Sequence, residues 1–196
     1  MVVVVGGHSR NIGKTSVVCG IISSLADRDW TGVKVTQYGH GICSRDGEPC
    51  DCSDPAHPIA ISEENGENPD TDSGRFLLSG ARRAFWVRTR SGELQEAMPK
   101  IRRIVTESEN TIIESNSILR FLKPDICAMV LDGSVADFKP SARHFLDRAN
   151  LLVLTSNAPA RWREVPQSLL RNKPAFHAPP PDHCSAEFIQ TIRESL

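Results

Sequence analysis

The sequence predicts a doubly wound α/β domain, a mostly parallel sheet with helices on both faces. Two observations carry that prediction. Short β-branched or apolar runs alternate with segments of helical apolar spacing along nearly the whole chain, the pattern of successive strand–helix units. The first such unit is strand, glycine loop, helix, strand, an order that implies a right-handed crossover and a parallel pair.

Residues 1–5 are an unbroken β-branched run after Met1, expected as a strand buried on both faces, and Gly6 and Gly7 break it. Over residues 13–26, Val17, Val18, Ile21, Ile22 and Leu25 recur at helical spacing. Residues 33–36 form a second strand after the Trp30-Thr31-Gly32 turn. Residues 39–72 are rich in Gly, Pro, Asp, Glu, Ser and Cys, and are expected as an irregular insertion. A short helix is expected at 72–79, a strand at 84–89, and a helix at 93–108 through Leu94, Met98, Ile101, Ile104 and Val105. Strands are expected at 111–114, 126–131, 151–155 and 175–177, and helical segments at 117–122, 141–148, 162–170 and 185–196. No repeat or composition shift divides the chain, so residues 1–196 are read as one domain.

A net charge of −1 over 196 residues gives no electrostatic case for a nucleic-acid partner. The longest apolar runs fall far short of the roughly 20 residues of a membrane helix. The first residues lack the basic stretch of a signal peptide, and the expected location is cytoplasmic.

The chemistry concentrates on Gly7-His8-Ser9-Arg10-Asn11-Ile12-Gly13-Lys14-Thr15-Ser16, which follows a strand and opens a helix. That context makes a phosphate-binding loop: glycines let backbone N–H groups turn inward, and the helix N-terminus adds positive partial charge. Lys14 is expected to reach the β- and γ-phosphates, and the Thr15 hydroxyl to reach Mg²⁺. A magnesium nucleotide also needs carboxylates at strand ends, and Glu114, which ends a short apolar strand, is the candidate. Lys34, at the second strand, is the candidate for balancing phosphate charge. Asp132, after the strand at 126–131, is a rim residue without a role.

The loop, Gly, five residues, Gly-Lys-Thr, resembles that of dethiobiotin synthetase and related amide-forming synthetases. Lys34-Val35-Thr36-Gln37-Tyr38-Gly39 is similar to their Lys-Pro-Val-Gln-x-Gly segment, with Val35 replacing proline. Asp72-Ser73-Gly74-Arg75, followed by Gly80-Ala81, resembles a segment of the molybdopterin-guanine dinucleotide biosynthesis protein MobB family. Thr111-Ile112-Ile113-Glu114 stands where both families have a strand ending in Glu-Gly, but Ser115-Asn116-Ser117 replaces the glycines. All belong to one P-loop class, which also contains nickel-chaperone GTPases. The resemblance implies a three-layer P-loop fold, Mg²⁺ with ATP or GTP, hydrolase or synthetase activity in cofactor biosynthesis, a small-molecule acceptor or protein partner, and a homodimer. By the same resemblance Lys14, Lys34 and Glu114 are catalytic, Asp72 is a second carboxylate approaching Mg²⁺, and Asn157, after the late strand, is the candidate base contact and favours ATP.

Six cysteines are present; Cys19 and Cys127 lie in apolar segments and read as small buried hydrophobes. Cys43, Cys50 and Cys52 cluster in the insertion with His40 and His57 beside them. Thiolates and imidazoles at short range suit Zn²⁺ or an iron–sulfur cluster; a reduced loop is the alternative. This cluster motivates a rival function, a nucleotide-switched adaptor or metal carrier.

Overall fold

A computed structural model describes residues 1–38, 59–66, 70–159 and 162–195. The cluster of Cys43, Cys50 and Cys52, with His40 and His57, lies outside them.

The chain runs β1 (Val2–Gly7), α1 (Lys14–Ser24), β2 (Trp30–Tyr38), β3 (Ile59–Glu63), α2 (Asp72–Leu78), β4 (Arg83–Arg90), α3 (Leu94–Thr106) and β5 (Asn110–Glu114). A 3₁₀ turn at Ser117–Arg120 leads to β6 (Ile126–Leu131), then α4 (Pro140–Phe145), β7 (Leu151–Leu154), α5 (Ser168–Arg171), β8 (Ala175–His177) and α6 (Ala186–Arg193). The strands form one sheet of order β3-β4-β2-β5-β1-β6-β7-β8. All neighbours are parallel except the edge pair β3 and β4. The expected doubly wound sheet is therefore observed.

Alternation along the strands explains the three layers. Val3, Val5, Ile112, Ala128 and Val130 pack on one face with α1, α2 and α6. Val4, Ile113, Cys127, Met129 and Leu131 pack on the other with α3 and α4. Successive side chains of a strand point to opposite faces, so a strand covered on both sides has no polar position to spare. The helix α3 buries Leu94, Ala97, Met98, Ile101 and Ile104, one stripe at helical spacing, while its internal Pro99 faces solvent. Among the described residues no helix is long and apolar enough to cross a membrane.

Three expectations need correction. The turn expected at Trp30-Thr31-Gly32 is already strand, because these residues pair in parallel with Asn110, Thr111 and Ile112 of β5. The 39–72 insertion is not irregular throughout, because β3 pairs antiparallel with β4 from Ile59 opposite Thr89 to Glu63 opposite Phe85. Ile59 and Ile61 alternate onto the core, and the Arg83 guanidinium donates to both oxygens of Glu63 across the pair, at 2.7 and 3.1 Å. The alternation is real but only two residues long, too short to register beside a polar flank. The helix expected over 162–170 shrinks to α5. Pro166 cannot continue a helix, and the indole of Trp162 is occupied, donating to Val135 O at 2.8 Å and packing on His8 and Phe138.

Candidate functional site

The centre of the sheet sets the site. Beyond β1 the chain returns through α1 to β2 on one side, whereas β5 crosses β1 to reach β6 on the other. Open α/β sheets bind ligands in the crevice that such a reversal leaves at the strands' carboxyl ends. A cleft of about 760 Å³ opens there, floored by residues 10–16 and walled by the ends of β2 and β5, the start of α2 and the segment before α4.

The loop from Gly7 to Thr15 curls over its own lysine. The Lys14 ammonium donates to Ser9 O at 2.6 Å. A side chain on Gly7 would place its Cβ 2.6 Å from Lys14 Cδ, so only glycine leaves this cradle open. Asn11 and Gly13 both take left-handed backbone, φ 53° and 88°, which asparagine tolerates and glycine adopts freely. No side chain caps α1 among the described residues, and its first turn, Lys14, Thr15 and Ser16, lines the cleft. Burial pushes the Lys14 ammonium below its ordinary range, and nearby Glu114 only partly offsets this.

Four of the predicted residues meet under this loop. Glu114, 3% exposed at the end of β5, receives the Lys34 ammonium on Oε1 at 2.6 Å and the Thr15 hydroxyl on Oε2 at 2.8 Å. Lys34 bridges to Asp72 Oδ2, also at 2.6 Å. Burial alone would lower the Lys34 pKa, but the attraction of Glu114 and Asp72 outweighs it and holds the ammonium above its usual range. Burial would likewise raise Asp72, but the Lys34 ammonium bound to it holds it below the usual carboxylate range.

This donor set fits a magnesium nucleotide. Among the described residues no group of three or more His, Cys, Asp or Glu side chains could hold a metal by itself. Magnesium is typically held by one or two carboxylates, with substrate phosphates and waters completing its octahedron. Thr15, Glu114 and Asp72 are the residues that would hold it, and the ion would neutralise phosphate charge.

The side chains of His8 and Ser9 are turned to the segment after β6. Neither lines the cleft. The His8 ring is fully buried, with Nδ1 2.7 Å from Asp137 O and Nε2 accepting from the Asp132 amide at 3.0 Å. Its own amide donates to Val130 O at 3.2 Å. Burial keeps its pKa low, in keeping with a neutral ring whose nitrogens are both engaged. The Ser9 hydroxyl donates to Asp137 Oδ2 at 2.7 Å. Both residues fasten the loop to the segment after β6. Asn157, the candidate base contact, lines a separate cavity of about 290 Å³, beside Leu131, Leu154 and Trp162. Into the cleft comes His183 instead, from the loop after β8, lying so close to Gly13 that a Cβ there would stand 2.5 Å from its ring.

Asn116 escaped the sequence reading. Its side-chain oxygen accepts from the Gly7 amide at 2.8 Å and its nitrogen donates to Gly7 O at 2.9 Å. The asparagine thus replaces a missing stretch of ladder between the ends of β1 and β5. A Cβ on Gly6 would lie 2.4 Å from Asn116 Oδ1, so Gly6 and Asn116 require each other. Ser115 accepts from the Ile118 amide at 3.2 Å and opens the 3₁₀ turn. Ser115-Asn116-Ser117 is a working substitute for the expected glycines. Arg75 of α2, donating to the Ser16 hydroxyl at 3.3 Å, and Lys139 also line the cleft unforeseen.

Burial and the like charges of Lys14 and Arg10 push Lys139 down to about 8. The sign for stability follows from linkage. The unfolded chain binds this proton more tightly, so Lys139 opposes folding at neutral pH, and the penalty fades as pH rises from about 8 toward the ordinary lysine value near 10.4. Lys139→Met is expected to raise the melting temperature at pH 7, with a smaller gain at pH 10; thermal melts at both pH values check this.

A parallel sheet carrying a glycine-lysine-threonine loop between its central strand and first helix has the P-loop NTPase fold. No family model and no curated protein matches the sequence. Among solved structures, the crystal structure of HypB from Helicobacter pylori in complex with nickel is similar, with a TM-score of 0.52 at 13% identity, over 98% of this chain and 85% of that one. At that identity the likeness speaks for the fold.

Proposed function

We propose that this chain is a magnesium-dependent nucleoside-triphosphate-binding protein of the dethiobiotin synthetase and MobB kind, which hydrolyses the triphosphate or uses it to drive a synthetase step in cofactor biosynthesis. The observation that carries this reading is the meeting of Thr15, Lys34, Asp72 and Glu114 beneath residues 7–15, with contacts of 2.6 to 2.8 Å. Residues of the loop from 10 to 16 cradle the phosphates and Lys14 reaches the terminal ones. Thr15, Glu114 and Asp72 hold the ion, and Lys34 keeps the two carboxylates in place. Such sites act by positioning and charge stabilisation.

The cleft supports an acceptor site as well. Past the loop it continues along Thr36, Gln37, Trp86 and Ser91, where the Trp86 indole donates to Thr36 Oγ1 at 3.0 Å. A polar wall with one aromatic face suits a small molecule held by hydrogen bonds and stacking.

A second reading, a nucleotide-switched metal carrier, draws on Cys43, Cys50 and Cys52 and on the nickel in the similar HypB structure. One experiment separates them: calorimetric titration with Mg²⁺ and non-hydrolysable ATP or GTP analogues, on protein purified without chelators and analysed for zinc, iron and nickel. Nucleotide binding without metal supports the synthetase reading. Nucleotide binding with about one metal per chain supports the carrier, by the donor chemistry of clustered thiolates. Binding of neither nucleotide rejects both.

A further inference from the structure

We propose that Lys139 is a second phosphate-reading lysine, which binds the terminal phosphoryl group of the nucleotide from the side of the cleft opposite Lys34 and so sets the preference for triphosphate over diphosphate. This rests on the nucleotide reading above and adds to it a residue outside the phosphate loop.

Three observations place Lys139 there. The first is its mounting. The Lys139 amide donates to His8 O at 2.8 Å, the Asp137 carbonyl is 2.7 Å from the His8 ring, and the Asp137 carboxylate accepts from Ser9 at 2.7 Å. The segment bearing Lys139 is therefore fastened to the phosphate loop at three points and shares its position. Pro140 follows and restricts Lys139 to extended backbone, which it adopts at φ −57° and ψ 140°.

The second is its exposure to the cleft without a partner. Lys139 lines the cleft with Lys14 and Ser141, and Ser141 is joined to the Gly7 clamp by Asn116 at 3.4 Å. Lys34 spends its charge on Glu114 and Asp72. The Lys139 ammonium makes no ion pair or hydrogen bond among the described residues.

The third is the charge around it. The groups that act on it are Lys14 and Arg10 of the loop, Lys34 of β2 and, with the opposite sign, Asp137 of its own segment. Lys14 is the strongest of these neighbours. Lys14 and Lys139 are two half-buried lysines lining one cleft, and the repulsion between them eases when an anion lies between them. The β- and γ-phosphates are the anion that a phosphate-loop lysine serves, so the group that shares Lys14's space shares its ligand.

The test is calorimetry on the folded full chain with Mg²⁺ and two pairs of probes, ADP with an imido ATP analogue and GDP with an imido GTP analogue, using the pair that the wild type binds. Lys139→Met is expected to lower the triphosphate-to-diphosphate affinity ratio by about tenfold or more, the share of a charge-assisted contact. Lys139→Arg restores most of that ratio. The wild-type ratio falls as pH rises above about 8, because the free protein then presents a neutral amine, whereas the ratio of the arginine variant does not. Nucleotide binding by the wild type with an unchanged ratio in Lys139→Met overturns the role of Lys139 and leaves the nucleotide reading standing. Failure of the wild type to bind either pair overturns both.

Discussion

Lys14→Ala is expected to weaken binding of the magnesium triphosphate by about 100-fold, since it removes charge-assisted hydrogen bonds worth roughly 1.5–3 kcal/mol each. The free-state geometry sharpens this expectation. Lys14 is held by its own loop, donating to Ser9 O, in a cradle that admits no side chain at Gly7. Its ammonium is disfavoured there by burial until an anion arrives. The alanine variant therefore keeps its melting temperature or gains slightly while it loses nucleotide, which separates a binding defect from a folding defect. Calorimetric titration beside a thermal melt reads both quantities. An affinity equal to wild type would remove the phosphate loop from the mechanism altogether.

The second large effect is on stability. Lys34→Met is expected to cost about 3–5 kcal/mol of folding free energy, the usual consequence of stranding a buried charge. The charge in question is Glu114, 3% exposed, which keeps only the Thr15 hydroxyl when Lys34 is gone. Asp72 contributes little to this figure because its side chain is 43% exposed and screened by solvent. Replacing Glu114 by glutamine in the same chain is expected to recover most of the loss, since an uncharged amide no longer needs the ammonium. Urea unfolding of the two single variants and the double variant measures the coupling. A cost below about 1 kcal/mol in Lys34→Met would show that Glu114 does not depend on its lysine, contrary to the penalty expected for an unpaired buried charge.

The pH dependence of this cluster follows from the two shifts. Lys34 is raised, so its stabilisation is complete below the ordinary lysine value near 10.4 and is lost as pH climbs through the higher folded value. Asp72 is lowered, so its share is complete above about 3.9 and is lost as pH falls through the lower folded value. The stability that Lys34 and Asp72 contribute is flat between those limits.

The local sequence does not tell in which direction the side chains around the loop point. His8 stands where the common form of the loop has its first glycine, and its type alone does not reveal that both ring nitrogens are spent on Asp132 and Asp137, more than 120 residues away. Asn157 follows a strand at the binding rim, but the path of its loop turns it toward Leu131 and Trp162 rather than the cleft. Lys139 was legible in principle. Lys139 directly precedes Pro140 at a helix start in the connection after β6, and such connections leave the carboxyl ends of the strands, where the cleft lies.

By itself the sequence determined β1, the phosphate loop and α1, together with the alternation that makes a three-layer sheet. Those features are local: a β-branched run, glycines where the backbone must take positive φ, and apolar residues at helical spacing act within a few residues of one another. Only the tertiary structure decided what surrounds that loop. Asn116, Lys139 and His183 reach it from separate connections because β1 lies between β5 and β6, an order set by how both faces of the sheet are covered together, which no single segment's periodicity encodes.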